Sequence, residues 1–166
     1  MLSVAGPATP ARGAGRNNLR GVLGANYHVE HKACHTVLFD DGDLSYVVGL
    51  EYHEENAFWQ LGLDFAPQIS GSDTAEYALT PQLNLLFTDR GWRGGLGFLV
   101  SYIKDEIEGG DWSKVYYQFL FGYSLGSTRS KYSLDLYAQY VFDSWSELDQ
   151  FEFQDVGFGL LLSRAF

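Results

Sequence analysis

The chain has 166 residues, a formal net charge of -10 and 16% aromatic residues, with a mean hydropathy of -0.14 and a pI near 4.6. That length fits one domain. The acidity excludes a nucleic-acid partner, whose phosphates such a surface would repel, and no stretch reaches the roughly 18 consecutive apolar residues of a spanning helix. A single cysteine, Cys34, excludes an internal disulfide framework and a CxxC site.

Residues 1–18 read as a flexible leader, because MLSVAGPATPARGAG is small and Pro/Gly-rich but lacks the charged start and apolar core of an export signal. Residues 19–166 read as one β-barrel domain, in eight period-two segments separated by Gly, Ser, Asp, Asn and charged clusters. The first sets Leu19, Leu23, Ala25, Tyr27 and Val29 against Arg20, Asn26, His28 and Glu30. The second sets Tyr46, Val48, Leu50 and Tyr52 against Ser45, Gly49, Glu51 and His53. In the third, Trp59, Leu61, Leu63 and Phe65 oppose Gln60, Gly62 and Asp64. In the fourth, Tyr77, Leu79, Leu83, Leu85 and Phe87 oppose Thr80, Gln82 and Asn84.

The fifth segment carries Leu96, Phe98, Val100 and Tyr102 against Gly95, Gly97 and Ser101, and the sixth Val115, Tyr117, Phe119, Phe121 and Tyr123 against Gln118, Gly122 and Ser124. The seventh carries Tyr132, Leu134, Leu136, Tyr140 and Phe142 against Ser133, Asp135, Tyr137 and Gln139. The last carries Val156, Phe158, Leu160, Leu162 and Phe166 against Asp155, Gly157, Gly159 and Ser163. An eight-stranded barrel has an interior just wide enough for side chains to fill, so the large apolar set must face outward and the small polar set inward. Such an exterior calls for lipid as solvent.

The connections alternate as well. Short turns fall at residues 54–56, 88–91 and 126–130, and long loops at 33–44, 66–76, 103–113 and 143–152. The expected fold is an all-β, eight-stranded antiparallel up-and-down transmembrane barrel with short periplasmic turns, longer extracellular loops and both chain ends on the periplasmic side.

From Leu19 to Phe166 the sequence resembles the small outer-membrane barrels typified by the OmpA transmembrane domain and OmpX. The final strand VGFGLLLSRAF, closing on a terminal aromatic, looks like the signal read by the barrel-assembly machinery. The resemblance implies an integral location in the bacterial outer membrane, among lipids and lipopolysaccharide. The functions of such barrels spread over anchoring, adhesion, defence and lipid chemistry, so the fold does not choose among them.

Five features bear on chemistry. The inward charges Arg20, Glu30, Glu51, Asp64, Arg93, Asp135 and Asp155 should pair or hydrogen-bond in a lumen too narrow for bulk water, giving a polar plug, with a narrow small-solute channel as the alternative. A lipid A-modifying site would need Ser, His and carboxylate together; His28 or His53, with Glu30 or Glu51 and a neighbouring Ser, supplies the types, but lumen residues satisfying one another is the favoured reading, and no catalytic residue is assigned. In YHVEHKACHTV, His31, Cys34 and His35 are the types that ligate metal, set against an ordinary polar loop; no cofactor is called for. The glycines of RGWRGGLGFL make room for lumen neighbours rather than cradling phosphate. Finally, the long loops are acidic, and Asp105, Glu106, Glu108 and Asp111 form a candidate rim for hard divalent cations or for steering a basic protein partner.

Overall fold

The structure, a computed structural model, describes residues 18–29, 39, 42–70, 72, 74–107, 109–126 and 130–166. Ten strands follow in chain order: β1 (Leu19–Tyr27), β2 (Leu44–Glu54), β3 (Ala57–Ala66), β4 (Ala75–Asp89), β5 (Trp92–Leu99), β6 (Tyr102–Asp105), β7 (Gly109–Trp112), β8 (Tyr116–Leu125), β9 (Tyr132–Phe142) and β10 (Gly157–Ala165). Eight of them close a ring, each antiparallel to both neighbours, in the order β1, β2, β3, β4, β5, β8, β9, β10 and back to β1. Closure leaves the ring without an exposed edge. Both strand termini meet at the rim that carries the tight turns, where the Phe166 amide donates to the Leu19 carbonyl at 3.3 Å.

One of the two-residue turns follows from local chemistry. Asp89 pairs with Trp92, leaving Arg90 and Gly91, both at positive φ (50° and 92°). Two consecutive left-handed residues make the type I′ turn whose twist matches the flanking strands, and Gly91 takes that conformation without penalty.

At the other rim, residues 103–113, expected as a loop, form a hairpin instead. β4 is long enough to pair first with β6 through Ala75–Leu79 and then with β5 through Gln82–Asp89. β6 pairs in turn with β7. Pro81 sits at this seam, beyond the last β4–β5 register pair, Gln82 with Leu99, a place where the missing N–H of proline costs the ladder little. Lys104, Asp105, Gly109 and Gly110 gave this stretch the composition of a loop, while the underlying alternation carried the strand through it.

The two faces fall as alternation requires. Leu23, Val48, Leu61, Phe98, Phe121, Leu136 and Leu160 are all exposed, with Leu23 at 62% and Phe121 at 60%. A water-soluble barrel would bury these residues. Exposed aromatics gather towards both ends of this band: Tyr52, Trp59, Phe87, Trp92 and Tyr132 near the turn rim, and Tyr27, Tyr46, Phe65 and Tyr117 towards the loop rim. Amphipathic rings take these positions at a bilayer boundary.

Tyr140 and Phe142 lie on the outward parity of β9 yet are 4% and 0% exposed. The segment that follows explains this. Two 3-10 turns, Trp145–Gln150 and Phe153–Asp155, bring aromatic rings back over the outside of the wall. Trp145 meets Phe142 edge-on at 5.3 Å and Phe151 meets Tyr140 at 4.9 Å.

Candidate functional site

Inward positions of the strands fill the lumen in layers. Nearest the turn rim, Ser133 and Ser163 share a 2.6 Å hydrogen bond, and Arg20 donates to Ser133 Oγ at 3.3 Å. The main electrostatic element comes next. Arg93 on β5 stands between Glu51 on β2, at 3.2 Å, and Asp135 on β9, at 2.8 Å. Glu51 is fully buried and also receives Gln60 Nε2 at 3.0 Å and His53 Nε2 at 2.8 Å. Phe58 lies beneath both of these partners, with the His53 ring stacked on it at 4.5 Å and the Arg93 guanidinium 4.8 Å from its centroid.

The interior is less polar than the sequence suggested. Phe58, Leu86 and Leu120 form one buried apolar cluster, and Val22, Val47 and Leu161 a second, with Tyr137 packed against both. These bulky residues fit because inward glycines face them. Gly95 is in register with Leu86 and Leu120, and Gly24 with Val47 and Leu161. The expected role of the β5 glycines holds at Gly97, where a Cβ would fall 1.7 Å from Asn84 Oδ1.

Midway, side-chain amides run from strand to strand. Asn84 donates to Gln60 Oε1 at 2.9 Å, and Gln118 donates to Gln82 Oε1 and Asn84 Oδ1, both at 2.7 Å. Asn26 donates to Asp64 Oδ2 at 2.7 Å and accepts the Tyr137 hydroxyl. Asp64 therefore rests on an amide; no cation lies within ion-pair distance of it among the described residues.

Towards the loop rim the filling loosens into a cavity of about 60 Å³, lined by His28, Asp64, Thr80, Ser101, Tyr116 and Gln118 among others. Thr80 and Ser101 share a 2.8 Å hydrogen bond at its wall. His28, just beyond β1, stacks on Phe39 at 3.9 Å and meets Ser45 Oγ at 2.8 Å. Burial pulls its imidazole down to about 4, against the opposing pull of Asp43. Asp43 itself accepts the Ser70 amide at 2.9 Å and its hydroxyl at 2.5 Å, tying the end of the first long loop to the start of the second.

Arg93, Glu51 and Asp135 converge, while Arg20 and Asp64 find neutral partners. Asp155 is buried at the end of the second 3-10 turn, with its Oδ1 unbonded among the described residues. Glu30, His31, Cys34, His35 and Glu108 lie outside the described residues. The His28–Ser45 contact is the histidine–serine juxtaposition that acyl chemistry would need, but Ser45 is fully buried and does not line the cavity, so this serine has no access for a substrate. His53 bonds Glu51 and stacks on Phe58, fixing the plug.

On the proposed cation rim, Asp105 accepts the Thr74 hydroxyl at 2.5 Å and the Ile107 amide at 2.7 Å. Asp111 accepts the following amide of Trp112 at 2.7 Å. Glu106 is exposed at the hairpin turn, and no group of three ligand-type residues is assembled for a metal among the described residues. Phe58, Leu86 and Leu120 were missed by sequence reading, because polarity sorted the faces and these three are apolar; for Leu86 and Leu120 the signal was register with Gly95, visible only once strands are paired.

A closed ring of eight antiparallel strands, apolar outside and filled inside, defines the class: this is the fold of the small eight-stranded outer-membrane barrels. Among solved structures the chain is similar to the crystal structure of Neisserial surface protein A, an eight-stranded outer-membrane barrel, with a TM-score of 0.53, 12% sequence identity and coverage of 90% of this chain and 97% of that one. At that identity the likeness is one of fold. No protein-family model and no curated protein sequence matches the chain.

Proposed function

We propose that the protein is an integral outer-membrane barrel with a plugged, non-conducting lumen, which serves as an anchor and works through its acidic loop end on a protein partner. One observation carries this reading: the Glu51–Arg93–Asp135 bridge joins three strands across the lumen, with the Phe58 and Val22 clusters and Tyr137 packed beside it. Ions crossing the lumen would have to break a buried charge network and displace packed side chains together. The exposed carboxylates Glu76, Glu106, Asp111, Asp149 and Glu152 at the loop end support steering of a basic partner by their field.

Planar-bilayer recording tests the plug. The refolded barrel should be electrically silent, and Arg93→Ala with Phe58→Ala should introduce conductance. Discrete wild-type channel openings at moderate voltage would replace this reading with that of a narrow solute channel.

A further inference from the structure

We infer that the fourth long connection is a membrane-seated foot: its Trp145–Phe153 segment folds outward onto the barrel wall and sets Trp145, Phe151 and Phe153 into the lipid boundary at the loop end. The inference rests on the outer-membrane reading above. A 3-10 helix repeats every three residues, so Trp145 and Leu148 share one side of the turn, and Phe151, its C-cap residue, follows three residues on. That side covers the wall, with Trp145 6.3 Å from Phe119 and 5.3 Å from Phe142, and Phe151 4.9 Å from Tyr140. The polar residues of the segment hold its start: Glu147 accepts the Asp143 amide at 2.9 Å, and Lys114 pairs with Asp143.

Folding back consumes only part of the apolar surface. Trp145 remains 58% exposed, Phe151 41% and Phe153 88%. A loop extending into water would gain nothing by displaying three such rings, each of which exposes apolar area costing about 25 cal/mol per Å². Their height identifies what covers them. β9 has 11 residues from Tyr132 to Phe142; ten steps of about 3.3 Å, tilted by about 40°, rise roughly 25 Å, the height of the apolar band of such barrels. Tyr132 therefore marks one boundary, and Phe142 with its aromatic cover the other. The wall below is continuous with this patch, since Phe121, Leu136 and Phe158 are exposed on adjoining strands. Lipid at the headgroup–acyl boundary is the occupant that this continuity and height specify.

Spin labelling separates the alternatives. On a Cys34→Ser background, Phe153→Cys, Phe121→Cys and Glu106→Cys would each carry a nitroxide in the full chain reconstituted into bilayers. Collision rates with oxygen, which concentrates in lipid, are compared with those of a water-soluble nickel chelate. Phe121 should be oxygen-dominated and Glu106 nickel-dominated, with the Phe153 ratio between them but well above that of Glu106. A Phe153 label as nickel-accessible as Glu106, beside an oxygen-dominated Phe121, overturns the inference and leaves the membrane reading intact. A Phe153 label reached by neither reagent also overturns it, pointing to a second copy or another protein. A nickel-dominated Phe121 removes the membrane reading and the inference together.

Discussion

The two halves of the lumen are built from the same alternating strands but filled on different principles. Towards the turns, Arg93 bridges two carboxylates across the ring, and aliphatic and aromatic groups pack beside it, leaving a cavity of only about 20 Å³. Towards the loops, the Thr80 and Ser101 hydroxyls bond each other at the wall of a cavity of about 60 Å³. The denser cross-linking thus belongs to the end where the chain turns tightly, and the looser filling to the end that carries the long loops.

The largest expected effect lies in the packed half. Arg93→Ala would leave Glu51 and Asp135 facing each other without their cation, a loss of about 3–5 kcal/mol. It should be read as a lowered midpoint of urea unfolding in lipid and as loss of heat-modifiable migration at a lower temperature. An unchanged midpoint would show that the packing, not the charge bridge, holds this half. Gly97→Ala comes next: a Cβ placed 1.7 Å from Asn84 Oδ1 must push the amide chain aside, at about 1–3 kcal/mol. Stability equal to wild type would mean that the amide layer shares the looser filling of the loop half.

Much of this was legible in the sequence. The eight segments, the outward parity of the eight ring strands and the placing of Arg93, Glu51 and Asp135 in the lumen all followed from alternation and volume. What alternation does not supply is register. Leu86 and Leu120 read as breaks in a polar face until Gly95 is seen between them. The hairpin of β6 and β7 was hidden by its charges and glycines. In the fourth connection, the three-residue spacing of Trp145, Leu148 and Phe151 was present, but period-two reading passes over it.

The loop half should respond more weakly. Thr80→Val removes the hydroxyl paired with Ser101 and is expected to cost about 0.5–1.5 kcal/mol; a loss as large as that from Arg93→Ala would erase the contrast. Acidification gives the finest test. The folded pKa of His28 is lowered from 6.5 to about 4, so the folded state binds the proton more weakly than the unfolded chain. Its contribution to stability is complete above about pH 6.5 and declines as pH falls towards 4. NMR of the imidazole should find a midpoint near 4, and one near 6.5 would place His28 in solvent rather than against Phe39.

The hydrogen bond from Phe166 to Leu19 has a consequence for how the chain is written. Because first and last strands are neighbours in a closed ring, no stave of the barrel is structurally first. A short linker between the two ends, with the chain opened in the tight turn at Glu55 and Asn56, would yield a permuted sequence with the same circumference, the same lumen contacts and a different residue at its start.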